Sequence, residues 1–491
     1  MRIWLRSLLW ATSSRRWWLA AAVVLVLGGV AAALHVPTSG AWFAHLANGE
    51  LLLGPSRGNG ASYLALHGAP LDLRSWAFDL LVLLVHRAGG LWGMLTLGMA
   101  LGLLLGVLLL WGARSVSRTL PLPLILTAGL GLGALAPVLG DPGQLLLAIL
   151  GVAVLLALEL ARRHGWWGAL AVAVVMALWA NLQADASVGL LLVLGWALVV
   201  SWEAPGTTDA ARPVLWVAPL ALLGLCLNPE GPGLLLHLPL SLGMGGEHPL
   251  FASWSSIDFH PWSARWAELS ALVLVLAYWA AAKHLRRGDA YLGLATAALA
   301  LVWADYLPLF LMVAVLHGCR YLSSAWRAWA SGGAAPPKKG EDRRGTWLWL
   351  VPALGALALL LFAGHTALRQ DGPGGQARAQ LPVAAARWLA SQHQGGAWFT
   401  TPAFGDYLGA RFPRGHHVIC SSDPLPLAGK GLATCQALTV LNQGALALLA
   451  AQHPRLAVLP RAAPAGAFLL AQGWTIGYRD ATTLVLAPRS F

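Results

Sequence analysis

Four side chains in one stretch of the chain have the chemistry for proton transfer or divalent-metal binding: His45, Glu50, Asp72 and Asp79. A carboxylate or imidazole acts as a general base only within hydrogen-bond reach of the proton it removes. His45 and Glu50 are five residues apart, about 140° around a helix, so in a regular helix they do not share a face. Glu50 alone reads either as a base or as a surface carboxylate on an amphipathic helix, and Asp72 and Asp79 are alternative bases. The chain has no P-loop, no dinucleotide-binding glycine fingerprint, no His-Glu-x-x-His and no Cys-x-x-Cys. His416 and His417 are adjacent at a strand entrance, where neighbouring side chains point to opposite faces, which disfavours a shared metal. The cofactor is therefore open: a divalent metal is compatible with the acids, and no motif supports it.

The elements that must position these residues are those of a membrane protein. Of 491 residues, 58% are hydrophobic and 11% charged, with a mean hydropathy of +0.65. Soluble chains carry about 25% charged residues. The apolar runs are long enough to cross roughly 30 Å of hydrocarbon. The net charge of +12 sits in short clusters at the ends of those runs rather than on one folded face, which excludes nucleic acid and leaves membrane lipid as the partner. Many of the 26 tryptophans flank the runs, among them Trp17, Trp18, Trp92, Trp111, Trp166, Trp167, Trp347 and Trp349. That is the interfacial belt of membrane helices.

Arg2, Arg6, Arg15 and Arg16 precede an apolar run, 17–34. The run reads as an uncleaved first helix, with a signal peptide ending near Ala31-Ala32-Ala33 as the alternative. Further helices are expected near 90–111, 120–138, 144–160, 166–182, 186–202, 213–228, 265–282, 290–304, 306–320 and 346–364, about eleven spans in a transmembrane domain 1–365. The basic segments at 114–118, 162–164, 283–287 and 320–344 mark the cytoplasmic side, which includes a linker at 331–345. Two long outer loops follow from this, 35–89 and 229–264, with 76–87 lying along the interface.

From residue 381 the pattern becomes that of a small extracytoplasmic α/β domain, 381–491. It has strands at 397–400, 417–420 and 456–459, helices at 382–392, 403–411 and 434–452, and a hairpin, 474–487, turning at Asp480-Ala481. Cys226 and Cys319 fall in spans. Cys420 and Cys435 fall in the outer domain, as a disulfide or as two buried thiols.

Several stretches resemble a bacterial multipass membrane family related to the GT-C glycosyltransferases. That family's first outer loop reads Asp-x-Asp-x-Trp-Trp-His-Leu-x-x-Gly-Glu, and here the matching residues run from Ser39 through Trp42, His45 and Leu46 to Gly49-Glu50. Gly68-Ala69-Pro70, Ser75-Trp76-Ala77-Phe78-Asp79 and Gly89-Gly90-Leu91 follow in the family's order. Trp179-Ala180-Asn181-Leu182-Gln183, Asn228-Pro229-Glu230-Gly231, Phe404-Gly405-Asp406-Tyr407-Leu408 and Ser422-Asp423 extend the likeness along the chain. The resemblance implies transfer of a sugar from a polyprenyl-phosphate donor at the outer face of the bacterial cytoplasmic membrane. It makes Trp76, Asn181, Gln183 and Asn228 substrate-binding candidates, although the two asparagines, at helix ends, also suit capping or bridging of helices.

Ser39 and Ala41 stand where the family has its aspartates, and Gln183 where it has a histidine. Neither Ser39 nor Ala41 can accept the acceptor's proton. Two readings follow: an outer-face transferase in which another acid has taken over, or a non-catalytic scaffold of an envelope-assembly complex. A transporter, which would want ionisable groups within its helices, has Asp305 near Pro308 as its main support.

Overall fold

The computed structural model describes residues 17–23, 25, 40–53, 73–116, 119–136, 140–203, 215–241, 256–260, 264–331, 380–392, 395–412, 416–421, 435, 437, 441 and 444–489. The expected span at 346–364, almost all of the linker 331–345, and Asp72 lie outside the described residues.

Contacts divide the chain into two units. The first comprises 1–34, 98–242 and 253–366; the second comprises 35–97, 243–252 and 367–491.

The first unit is helical. It contains α3 (Pro121–Leu135), α4 (Pro142–His164), α5 (Trp166–Leu182), α6 (Ala186–Glu203), α7 (Val217–Leu225), α8 (Ala264–Ala280), α9 (Arg287–Val302) and α10 (Leu307–Ser331). Asp141 caps α4 by accepting from the backbone N–H groups of Gly143 and Gln144, with Pro142 at the first position, where a missing N–H costs nothing. Leu124, Ala128, Leu145, Val152, Leu311 and Val315 belong to one buried core. Among the described residues, three helical runs are long and apolar enough to cross a membrane: Trp76–Arg114, Pro142–His164 and Ala304–Trp329. Pro121–Leu135, Trp166–Leu182 and Ala186–Trp202 are shorter apolar helices. The chain is a polytopic α-helical membrane protein.

The second unit opens with α1 (Gly40–Leu53) and the start of α2 (Trp76–Trp111). The sequence suggests a break between 87 and 90. The helix instead runs on through a kink at Gly90, whose φ of 56° is open to a residue without a Cβ. The bend is sharp, since a Cβ at Gly93 would fall 2.3 Å from the carbonyl oxygen of Val85.

The C-terminal part contributes α11 (Val383–Gln392), β1 (Gly396–Thr400), α12 (Pro402–Arg411), β2 (His416–Val418), α13 (Ala445–Ala451), β3 (Leu456–Pro460), α14 (Pro464–Ala471), β4 (Thr475–Arg479) and β5 (Thr483–Ala487). They form one mixed sheet in the order β2-β1-β3-β5-β4. β1 is parallel to β2 and β3, and β5 is antiparallel to β3 and β4. Of the expected helix over 434–452, α13 at Ala445–Ala451 is the longest described part, and Leu441 before it takes a positive φ of 55°. The core under the sheet includes Trp398, Phe404, Leu408, Val458 and Val485, and Ala47 of α1 belongs to it.

Candidate functional site

The site is built where α1 meets the start of α2. Two glycines of α1 are points of close approach. A Cβ at Gly40 would lie 2.7 Å from the Cα of Ala403 in α12, and one at Gly49 would lie 2.6 Å from the carbonyl oxygen of Asp79. Because Gly49 carries no side chain, α1 lies against α2, and His45, one turn before Gly49, comes beside Asp79.

His45 Nδ1 is 2.6 Å from Asp79 Oδ1. The Asp79 side chain is fully buried and that of His45 is 19% exposed. The Ser75 hydroxyl reaches both carboxylate oxygens of Asp79, at 3.3 and 3.4 Å, from four residues earlier. The backbone N–H groups of Phe78 and Asp79 both donate to the Ser75 carbonyl, which starts α2 at this point. Asp79 thus sits in the first turn of a helix, where the peptide dipoles favour an anion. Phe78 meets the His45 ring edge-on, with centroids 4.9 Å apart, and Trp42 packs against Phe78 in turn.

A carboxylate accepting from Nδ1–H holds an imidazole in the tautomer whose basic nitrogen is Nε2, and stabilises the imidazolium when Nε2 takes a proton. The pair can therefore act as an oriented general base.

Glu50 is placed differently. Its Oε2 accepts from Arg87 Nη2 at 2.9 Å, and both side chains are substantially exposed. Such a pair contributes roughly 0–1 kcal/mol. Trp76 is half-buried at the first position of α2, three residues before Asp79. Among the described residues no three of His, Cys, Asp and Glu gather as a metal-ligand set. Asp79 is engaged with His45 and Ser75, and Glu50 with Arg87, so these side chains as placed do not fit a divalent metal.

Asn181, Gln183 and Asn228 belong to the first unit. Asn181 donates to the carbonyls of Ala177 and Leu227, and Asn228 donates to that of Ala180. These bonds tie the end of α5 to the turn after α7, which is helix bridging. Gln183 closes α5 and accepts from the Asp185 backbone N–H. In the second unit Cys420 and Cys435 form a disulfide, S–S 2.09 Å.

Sequence reasoning passed over two groups. Asp406 is fully buried and accepts from the Ser421 hydroxyl at 2.5 Å. Its signal was an aspartate within Phe404-Gly405-Asp406-Tyr407-Leu408, where the family pattern has glycine. The second group is a charge network on α4, α9 and α10, whose arginines read from sequence only as orientation signals.

No protein-family profile matches the sequence, and no curated protein does. Solved structures match. The Archaeoglobus fulgidus oligosaccharyltransferase, crystallised with a tethered acceptor peptide containing the NVT sequon, aligns over 97% of this chain and 74% of its own, at 12% identity and a TM-score of 0.55. The A. fulgidus oligosaccharyltransferase AglB, in complex with an inhibitory peptide and a dolichol-phosphate, aligns over 90% and 69%, at 10% identity and a TM-score of 0.56. The chain shares its fold with these oligosaccharyltransferases. ArnT from Cupriavidus metallidurans, bound to undecaprenyl phosphate, also aligns, over 96% and 97%, at 15% identity and a TM-score of 0.49. His45 and Asp79 meet where α1 packs on the start of α2.

Proposed function

We propose that the chain transfers a sugar from a polyprenyl-phosphate donor to an acceptor at the outer face of a bacterial cytoplasmic membrane, in cell-envelope glycan or glycolipid assembly. The observation that carries this reading is the buried His45–Asp79 pair within a GT-C fold. AglB, which shares the fold, was solved in complex with a dolichol-phosphate. His45 Nε2 takes the acceptor's proton as the acceptor atom attacks the anomeric carbon. The bond from that carbon to the phosphate oxygen breaks, and the polyprenyl phosphate leaves with the electron pair. Asp79 orients His45 and stabilises its cationic form. Trp76, at the start of α2 and three residues before Asp79, is the residue proposed to line the substrate path beside the pair. The topology that goes with this reading has about eleven spans, a cytoplasmic N-terminus and an extracytoplasmic C-terminal domain.

A non-catalytic scaffold is the competing reading, and the specific support for it is Ser39 and Ala41 in place of the family's aspartates. His45→Gln and Asp79→Asn keep shape and remove the base. Each is expected to lower transfer by roughly 10²–10⁴-fold while the protein still inserts and accumulates. Glu50→Gln, which removes only an exposed pair, is expected to leave transfer near wild type. Consumption of a radiolabelled polyprenyl-phosphate sugar by membranes of the deletion strain reads the outcome. A doubly substituted protein that works as well as wild type ends the dyad mechanism and puts the scaffold first.

A further inference from the structure

Six ionised side chains meet where α4, α9 and α10 come together in the first unit. The carboxylates are Glu159 and Asp289, and the guanidinium groups are those of Arg162, Arg163, Arg286 and Arg320. The carboxylates are well supplied. Glu159 accepts from Arg163 at 2.9 Å, Arg286 at 3.0 Å and Arg320 at 2.7 Å. Asp289 accepts from the Tyr321 hydroxyl at 2.7 Å and from Arg320 at 3.3 Å. Among the described residues Arg162 is left over: its Nε and Nη2 are buried and have no acceptor within hydrogen-bond distance. Asp289 Oδ1 is its nearest ion-pair partner at 3.7 Å, beyond hydrogen-bond length.

The Arg162 guanidinium is nevertheless held in place. It lies over the Trp196 ring, 5.1 Å from the centroid. Gly288 lets it approach, since a Cβ there would fall 2.4 Å from Nη2. Beside it is a cavity of about 20 Å³ lined by Glu159, Arg162, Trp196, Asp289, His317 and Arg320. That volume takes about one water-sized group. Four cations against two anions leave an excess of positive charge, and buried charge without compensation is costly. Arg162 and Arg320 are 15% and 14% exposed, and Arg163 and Arg286 are 34% and 42% exposed. The cationic groups therefore run from the cavity out to the surface.

We propose that this cavity is a binding site for a phosphate-class oxyanion, separate from the His45–Asp79 site. One phosphoryl oxygen enters and accepts from Arg162 Nε–H and Nη2–H, in the forked geometry that suits guanidinium to phosphate. The remaining oxygens face Arg163 and Arg286. An anionic-lipid headgroup and free phosphate present the same group, and basic clefts between membrane helices are suited to headgroups.

The test uses the full-length protein in a phosphorus-free non-ionic detergent. Dioctanoyl phosphatidylglycerol, inorganic phosphate and, as an uncharged control, dioctanoylglycerol are titrated separately, with the thermal unfolding midpoint as readout. Stabilisation by the phospholipid alone assigns the site to a lipid headgroup, and stabilisation by phosphate alone assigns it to the free ion. In either case Arg162→Gln is expected to weaken binding about tenfold or more. Broadening of the ³¹P resonance of the phospholipid or phosphate by wild-type protein is a second readout, independent of whether the variant folds. If neither phosphorus compound binds wild type, if the glycerolipid stabilises as strongly as the phospholipid, or if a folded Arg162→Gln protein binds with wild-type affinity, the proposal is overturned.

Discussion

At Gly49 one methyl group decides whether His45 can meet Asp79, because a Cβ there would press within 2.6 Å of the Asp79 carbonyl oxygen and 2.9 Å of the Leu83 Cβ. The carbonyl belongs to helical backbone and cannot swing aside, so Gly49→Ala must push α1 off α2. The expected cost is about 1–3 kcal/mol of stability, read as a lower thermal midpoint. Transfer activity should fall with it although every catalytic candidate is intact, and an unchanged midpoint would show that the helices yield. A pH effect belongs at Asp480. Burial pushes its carboxyl up, but the backbone N–H groups of Thr482 and Thr483, with the hydroxyls of Thr482 and Tyr478, outweigh it and hold the group below the usual aspartate range. A depressed folded-state value gives stability that is full above the unfolded value, about 3.9, and is lost as pH falls through the folded one. Melts of wild type and Asp480→Asn over acidic pH should therefore converge at the low end, and parallel curves would count against the turn as the source. His45 and Asp79 were legible in the sequence as residue types. Their partnership was not, because the two are 34 positions apart and local spacing carries no record of which helix crosses which.

The elements of the C-terminal domain divide along the same line. The hairpin of β4 and β5 was readable from two apolar runs around Asp480-Ala481, since alternation and turn chemistry are local. The sheet order β2-β1-β3-β5-β4 was not, because it depends on pairings between distant strands. A similar limit appears at α7. The expected helix 213–228 is regular only over Val217–Leu225 and then breaks into turns that Asn228 and Asn181 tie down with their amides. Gly405 illustrates how elements lock together: a Cβ there would collide with the carbonyl of Cys420, so α12 sits directly on the chain that enters the disulfide. The Cys420–Cys435 link closes a separation of 15 residues. In the chain-entropy picture such a loop stabilises by about 3 kcal/mol. Ser at both positions should lower stability by that order, measured by denaturant unfolding of the full chain without reductant. An unchanged midpoint would mean the core around Trp398 and Phe404 already holds the segment without the link.

At the scale of the whole molecule, composition alone was enough to place the chain in a membrane, because a deficit of charge and long apolar runs are properties of the sequence itself. It was not enough to show that segments 35–97 and 367–491 cluster in one unit. That association rests on side chains such as Ala47 and Leu51 packing into the core of the sheet domain, and an apolar residue on a helix does not announce its partner. The unit constrains topology, because a segment near the N-terminus and one at the C-terminus that share a core must lie on the same side of the membrane. Arginines supply the direction. Arg2, Arg6, Arg15 and Arg16 precede the first apolar run, and further basic clusters recur at 114–118, 162–164, 283–287 and 320–344. The positive-inside rule predicts a cytoplasmic place for these clusters and therefore an outer one for the shared unit. Reporter fusions after Arg118, Arg287 and Lys339 should therefore be active in the cytoplasm, and one after Phe491 should be active outside. A reporter inserted near His45 must agree with the C-terminal one whichever side they report. Opposite signals would contradict the shared core, whereas a common cytoplasmic signal would keep the core and overturn both the orientation and the outer-face chemistry.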